Sequence, residues 1–221
     1  MHSSSTPTAQ PAQGGAAPGS IQPREPGTYR YNTTGSTTYG GGFTQQMPSQ
    51  TTLTVDPSTG EQQRSARDLR DSQGNGSLTE TWLQFKDGDV YLARVRTTTT
   101  YGPVTDGRDF RPSHPELVGK AGAGPGFHTA FTMSSSGSSA HVAIDVLREE
   151  RVTIGGRSVD TYLVRTTTTF SGDLSGKNTS DTWYTLDRLF PVKEHVVLDA
   201  QSSSGSIHSE YRAQLTSLAP S

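Results

Sequence analysis

The sequence predicts an all-β fold, a large curled antiparallel sheet or open β-barrel of about ten to twelve strands with little helix. Three observations predict this fold class. The strand formers Thr, Val and Tyr recur in short runs that alternate with polar residues. Turn residues such as Gly, Pro, Asn and Asp return about every 8 to 15 residues. No segment shows a clear helical pattern of apolar residues.

Length and composition indicate one folded domain, alone or with a tail. The chain has 221 residues, of which 29% are hydrophobic, so the core is expected to be thin. The apolar residues nevertheless fall in periodic clusters, which indicates a folded body rather than general disorder. Basic and acidic residues, 19 and 21 in number, are interspersed with a net charge of -2. This balance predicts neither nucleic acid nor an anionic membrane surface as a partner.

The chain has no cysteine, which excludes disulfides, thiolate catalysis and zinc sites built on Cys. No run approaches the roughly 18 apolar residues that a membrane-spanning helix needs. The first residues, MHSSSTPTAQ, do not have the charged and apolar pattern of a signal peptide. If the protein is exported, we expect its N-terminal signal or anchor to be missing from this chain, and any membrane contact to depend on it.

Residues 1–26 are predicted to form a flexible tether, because Ser, Thr, Ala, Gln, Gly and Pro dominate and apolar anchors are scarce. Such tethers commonly join a membrane or cell-wall attachment to an extracytoplasmic domain, although a disordered cytosolic tail has the same composition. We therefore expect an extracytoplasmic protein, secreted or tethered to the cell surface. Residues 27–218 are predicted to form a single β domain.

The first half of this domain is predicted to consist of strands joined by turns and one long connection. Residues 28–32 alternate as a strand, residues 36–48 are a Gly-rich loop, and residues 51–55 form the next strand. The strands at residues 78–85 and 90–101 are joined by a tight turn at Asp87-Gly88. Residues 102–126 contain four prolines and are predicted to be a connection with a short helical turn at residues 116–118.

The segment 140–170 is predicted to be one long β-hairpin. Val142, Ile144 and Val146 alternate with more polar residues, as in a strand with one buried face. Gly155-Gly156 supplies two residues that tolerate positive φ, as a two-residue hairpin turn requires. This turn places apolar residues opposite each other and charges opposite countercharges, as in Val152 with Val159 and Arg151 with Asp160.

Farther from the turn, the same register would put Val146 opposite Arg165. One extra residue within the LREE segment, 147–150, instead sets Val146 opposite Val164. We therefore predict a β-bulge in this segment.

Three further strands are expected at residues 178–186, 190–200 and 207–218, and parts of the chain resemble each other. VRTTTT occurs at 95–100 and at 164–169, and NGSLTETW at 75–82 resembles NTSDTW at 178–183. The offsets of 69 and 101 residues do not fit one tandem duplication. Either Thr-rich strands arose independently, or the fold has two halves in which Trp82 and Trp183 occupy equivalent core positions.

The sequence favours a non-catalytic role and predicts no catalytic residues, metal site or cofactor. There is no G-x-S-x-G or S-x-x-K nucleophile motif and no H-E-x-x-H metal motif. Folding could still gather His128, His141 and His195, which lie on predicted strands. A solvent-facing position for each of them is the alternative.

A curved antiparallel sheet has a concave side on which aromatic side chains could bind a ligand. Trp82, Tyr91 and Trp183 are the ligand-binding candidates. The alternative is that most aromatic residues form the core, because the chain has few other apolar residues.

The segments GTYRYNTTG, TTLTVDPSTGEQQR, TWLQFKDGDVYL, VTIGGRSVDTYLV and DTWYTLDRLFPVKEHV, taken in order, resemble uncharacterised extracytoplasmic β domains of actinobacterial secreted or membrane-tethered proteins. More broadly, the pattern resembles half-barrels of the lipoprotein-carrier type, and this resemblance implies a concave apolar groove for acyl chains. The chain lacks the lipobox Cys and the amphipathic helices of that type.

These observations favour a non-catalytic extracytoplasmic binding or envelope-associated module, whose partner is an unknown protein or an apolar small molecule. One alternative is a carrier of a lipid or other apolar ligand, which a connected apolar cavity would favour. The other is a hydrolase whose site assembles only in three dimensions, which converging carboxylates or a Ser–His contact would favour.

Overall fold

The computed structural model describes residues 19–40, 42–203 and 205–221, and these contain fourteen β-strands and no helix. In the part of the chain described, no helix has the length and hydropathy to cross a membrane. The strands are β1 Gly27–Tyr39, β2 Phe43–Gln46, β3 Gln50–Val55, β4 Gln62–Asp68, β5 Gly76–Lys86, β6 Asp89–Tyr101, β7 Val104–Pro112, β8 Glu116–Gly119, β9 His128–Ser135, β10 Ser138–Ile154, β11 Arg157–Gly172, β12 Leu174–Thr185, β13 Pro191–Ser202 and β14 Gly205–Leu215.

Twelve of these strands form a closed antiparallel barrel, and the remaining two, β2 and β8, are added to it. The first and last strands close the barrel, because β1 pairs with β14 from Tyr31 opposite Leu215 to Tyr39 opposite Ile207. The predicted all-β class and strand number are confirmed. The sheet is closed rather than open, which leaves its principal strands without a free edge.

The β10–β11 hairpin confirms the predicted register and bulge. Val146 lies opposite Val164 and the next pair is Arg148 with Leu163, so Leu147 is the extra residue. Gly155 and Gly156 form the turn with φ of 55° and 80°. The predicted turn between β5 and β6 is also confirmed, at Asp87 and Gly88.

The bulge exchanges the face that this hairpin buries. Before it, Val142 and Ile144 contribute to a core cluster shared with β5, β6 and β9. After it, Val152 and Ile154 belong to a different cluster, shared with β1, β3, β13 and β14. One extra residue reverses the alternation of a strand. The two ends of β10 therefore both bury apolar side chains, but each end does so on a different face of the strand.

Two predicted connections are wrong. Residues 102–126 contain β7 and β8, and the predicted helical turn at 116–118 is part of β8, which pairs with the start of β6. The predicted Gly-rich loop at 36–48 contains the end of β1 and all of β2. In both places, hydrogen bonds to a neighbouring strand stabilise extended backbone that the local composition does not reveal.

Residues 19–26 close one end of the barrel. The backbone N–H of Ile21 donates to the carbonyl of Gly88 in the β5–β6 turn, and that of Gln22 donates to the carbonyl of Asp187 in the β12–β13 turn, both at 2.8 Å. These two turns connect strand pairs on opposite sides of the barrel, so adjacent residues of the segment bridge them at this end. The rest of the predicted tether, residues 1–18, lies outside the described residues.

Candidate functional site

The interior of the barrel contains a cavity of about 960 Å³. A barrel of about eight strands is filled by its own side chains, whereas twelve strands enclose a wider interior. The volume lies at the upper end of the range of about 300–1,000 Å³ that is typical of small-molecule sites. Closure of the sheet therefore creates a space large enough for an organic ligand.

One side of the cavity is apolar and is formed by consecutive strands from β5 to β11. Alternate residues of these strands point inward, and β6 and β11 contribute the similar series Val-Thr-Thr at 95, 97, 99 and at 164, 166, 168. The inward apolar residues form one continuous core cluster that includes Leu83, Val90, Leu92, Phe110, Phe131, Met133, Val142, Ile144 and Val164.

The rest of the cavity wall is more polar, although β13 adds the apolar Val196, Leu198 and Ala200. The polar residues of β12 that line this polar side are Asn178, Ser180, Thr182 and Tyr184. The buried Asn178 Oδ1 has no hydrogen-bond partner within the described structure. This wall therefore offers hydroxyl and amide groups to a bound molecule.

A buried charge cluster lies on the polar side and is formed by Arg67 of β4, Glu194 of β13, and two tyrosines. Arg67 Nη2 is 3.4 Å from Glu194 Oε1, and the two side chains are only 11% and 12% exposed. The guanidinium carbon lies 3.8 Å from the ring centroid of Tyr31. The Tyr211 hydroxyl donates to Glu194 Oε2 at 3.4 Å. Burial is the main cause that raises the pKa of Tyr31 and of Tyr211, so both hydroxyls stay neutral.

Arg24 brings a second guanidinium to the cavity from the segment that closes the barrel. Its backbone is held by Gln63, whose Oε1 accepts from the Arg24 N–H at 2.9 Å and whose Nε2 donates to the Arg24 carbonyl at 2.7 Å. Its Nη2 donates to the Leu189 carbonyl at 2.8 Å, and its Nη1 donates to Ser65 Oγ at 3.4 Å. Burial lowers the pKa of Arg24, and the nearby Glu194 carboxylate opposes this shift.

The end of the barrel opposite residues 19–26 carries aromatic residues, and we call it the mouth, defined by Tyr39, Phe43, Tyr101 and Val104. Tyr39 and Tyr101 stack with ring centroids 5.0 Å apart, although they belong to β1 and β6, which are not neighbours in the barrel. Phe43 lies 4.8 Å from the Tyr101 ring and is 48% exposed. These rings line the cavity or border it where it reaches the surface.

The structure does not bring the three predicted ligand-binding residues together, and it places none of them on the cavity wall. Trp82 is on the outer face of β5, with the guanidinium carbons of Arg64 and Arg94 at 5.9 and 4.3 Å from its ring. Tyr91 lies between the inward Val90 and Leu92, so it points to the other face of β6. A ligand-binding role for these residues stays a prediction.

Trp183 belongs to the core cluster at the closed end, and Lys193 Nζ lies 4.2 Å from its ring. Trp82 is outside both core clusters. The equivalent core positions expected from a fold with two halves are therefore not found.

Sequence reasoning missed Arg24, Arg67 and Glu194, the charged residues deep in the cavity. Arg24 lies in a segment whose composition resembles a linker, and the other two lie on strands that are not adjacent. The only signal in the sequence is the period of two, since Arg67 shares its face of β4 with the buried Ser65.

The strand histidines are not gathered into one site. Each pairs with a single carboxylate of the neighbouring strand or contacts a hydroxyl, as seen for His128 with Asp145 at 2.7 Å and His195 with Glu210 at 3.0 Å. Across residues 19–40, 42–203 and 205–221, no three His, Asp or Glu side chains form a group that could hold a metal ion.

A scan against protein-family models, a search of curated proteins and a search of solved structures found no match to this chain. The structure shows an all-β, twelve-stranded antiparallel barrel of unknown family. Function is therefore inferred from the cavity and the residues that line it.

Proposed function

We propose that this protein is a non-catalytic binding protein that holds an apolar small molecule inside its barrel. The observation that carries this proposal is the connected cavity of about 960 Å³ with one continuous apolar wall. Apolar side chains that face an empty space lose dispersion contacts. A ligand of matching size restores these contacts and removes its own apolar surface from water.

The size and chemistry of the wall fit a lipid-like molecule or another elongated apolar compound. Each buried methylene group contributes about 0.8 kcal/mol, so about ten of them contribute about 8 kcal/mol before the costs of association. The apolar wall runs across six neighbouring barrel strands, β5 to β7 and β9 to β11, which is enough surface for such a chain.

The mouth is the proposed route of ligand access. Residues 19–26 cover the other end, where a Cβ on Gly119 would approach Leu189 Cδ1 to 2.3 Å. At the mouth, by contrast, Phe43 and Val104 are exposed. We also propose the extracytoplasmic location expected from the composition of residues 1–26, where such a protein would carry or sequester its ligand.

The test is binding of the apolar fluorophore diphenylhexatriene, followed by fluorescence, with native mass spectrometry to count bound molecules. Thr166 lines the cavity, whereas Thr167 is on the opposite face of the same strand. Thr166→Trp fills part of the cavity, so we expect it to weaken binding at least about tenfold. Thr167→Trp is the matched control and should bind as the wild type does.

One bound molecule in the wild-type protein and in Thr167→Trp, with weaker binding in Thr166→Trp, supports the proposal. Absence of binding by the wild-type protein, or equal affinity of the two variants, would overturn it.

A further inference from the structure

The interior of the barrel carries an excess of one positive charge. Among the described residues deep in the cavity, the charged side chains are Arg24, Arg67 and Glu194. Two guanidinium groups thus face one carboxylate.

The other charged residues of the wall do not change this balance. Asp106 and Arg108 lie toward the mouth and pair with each other at 3.1 Å. Lys120 is exposed at the closed end. The excess positive charge therefore belongs to the buried cluster.

The two guanidinium groups also have donors without acceptors. Nε, Nη1 and Nη2 of Arg67 and Nε of Arg24 are buried, and none of them has a hydrogen-bond partner in the described structure. The contact between Arg67 and Glu194 at 3.4 Å is an ion pair without hydrogen-bond geometry. Buried ionised groups are expensive unless both their charge and their hydrogen bonds are satisfied.

The polar cluster and the apolar wall are arranged along the cavity. Arg24 and Glu194 lie toward the closed end, because Arg24 belongs to the closing segment and Glu194 is near the start of β13. Phe131 and Met133 of β9 lie farther toward the mouth, where β9 ends beside the start of β10. A bound molecule therefore meets donors at its inner end and apolar side chains along the rest of its length.

We propose that the ligand is an amphipathic carboxylate, whose ionised head group is bound by Arg67 and Arg24 and whose apolar chain extends along the wall toward the mouth. This inference rests on the proposed binding function. The single negative charge of a carboxylate balances the one excess positive charge of the cluster. A phosphate monoester with two negative charges would overcompensate it. The planar fork of a guanidinium donates two parallel hydrogen bonds to a carboxylate, which matches the unpaired donors of Arg67.

The test compares three probes with the same chain, namely dodecanoate, methyl dodecanoate and dodecan-1-ol, in competition with bound diphenylhexatriene at pH 8. We expect the wild-type protein to bind dodecanoate about 10- to 100-fold more tightly than the ester or the alcohol, because only dodecanoate makes charge-assisted hydrogen bonds.

The variant Arg67→Met should reduce the affinity for dodecanoate to that for the ester, and it should leave the affinity for the ester within about twofold. Arg64→Met is the matched control, because Arg64 is on the same strand and points outward to Asp56 and Glu80. It should keep the preference for dodecanoate.

Equal binding of the three probes by the wild-type protein would overturn the carboxylate assignment and leave the proposed binding function standing. A preference for dodecanoate that persists in Arg67→Met would overturn the assignment of the head group to Arg67. Failure of all three probes and of diphenylhexatriene to bind would overturn the proposed function itself. The comparison in the wild-type protein decides the carboxylate assignment even if Arg67→Met does not fold.

Discussion

The guanidinium of Arg67 lies over the fully buried ring of Tyr31, with 3.8 Å between its carbon and the ring centroid. Attraction between a cation and an aromatic face strengthens when both are removed from water. Because burial raises the pKa of Tyr31, the ring remains neutral beside the permanently charged guanidinium. Tyr31 and Glu194 together hold Arg67 in place, which preorganises its free donors.

Glu194→Gln is expected to destabilise the protein by about 3–5 kcal/mol, because it leaves two buried guanidinium groups without a countercharge. The double variant Arg67→Met/Glu194→Leu removes both members of the pair and should cost less than Glu194→Gln alone. Urea unfolding of Glu194→Gln, of the single variants Arg67→Met and Glu194→Leu, and of their double variant measures this difference. Additive losses would show that the two side chains do not interact.

Deletion of Leu147 is expected to destabilise the barrel by several kcal/mol. Without the bulge, the end of β10 would turn Val152 and Ile154 away from the core, and each contributes about 1.5–3 kcal/mol when buried. Leu147 is 40% exposed, so the control Leu147→Ala should cost less than about 1 kcal/mol. Thermal unfolding measures both, and equal losses would contradict the role of the bulge.

Gly35→Ala is expected to weaken the closure of the barrel by at least about 2 kcal/mol. Gly35 has a φ of 133°, and a Cβ there would lie 2.1 Å from the carbonyl oxygen of Glu210 on β14. Gly107→Ala is the control, because a Cβ at Gly107 meets nothing within 4 Å. Hydrogen exchange should speed up at the amides shared by β1 and β14 in the first variant alone. Unchanged exchange there would show that the strands adapt to the added methyl group.

The pKa of Asp109 is expected to depend on Arg94. The hydrogen bonds from Arg94, with Arg111 assisting, lower the pKa of Asp109 from its usual value near 3.8 to about 2. A carboxyl group whose pKa is lower in the folded protein than in the unfolded chain stabilises the fold at pH values above its unfolded pKa. This stabilisation is lost as the pH falls from about 5 through 2. Because the side chain is 37% exposed, the contribution should not exceed about 1 kcal/mol.

In Arg94→Gln, the Asp109 carboxylate should titrate at higher pH, and the loss of stability toward pH 2 should be smaller. Carboxyl carbon chemical shifts during an NMR titration measure the pKa directly. An unchanged titration midpoint would show that Arg94 does not control it.

Tyr39→Ala is expected to speed up ligand exchange, because the stacked rings of Tyr39 and Tyr101 span the mouth. An aromatic pair contributes about 0.5–1.5 kcal/mol, which corresponds to uptake and release about 2- to 13-fold faster. Stopped-flow fluorescence with diphenylhexatriene measures both rates. Thr34→Ala, on the outer face of β1, should leave them unchanged. Equal rates in all three proteins would show that the ligand does not pass this ring pair.

Several features of this fold are encoded locally, and the amino-acid sequence was sufficient to predict them. In the β10–β11 hairpin these features are the alternation of apolar and polar residues, the two glycines of the turn and the pairing of Val146 with Val164. All of them depend on residues within a stretch of about thirty. One wrong register there would bury charged residues, so few arrangements compete. The all-β class follows from repetition of such segments along the chain.

The site depends on contacts between distant parts of the chain. Closure pairs Tyr31 with Leu215, and the charge cluster joins residues of the closing segment, β4 and β13. Whether a side chain faces the cavity depends on bulges and stagger accumulated around the whole barrel, which no local pattern records. For the same reason, aromatic composition pointed to Trp82, Tyr91 and Trp183, whereas the folded barrel turned other residues toward its interior.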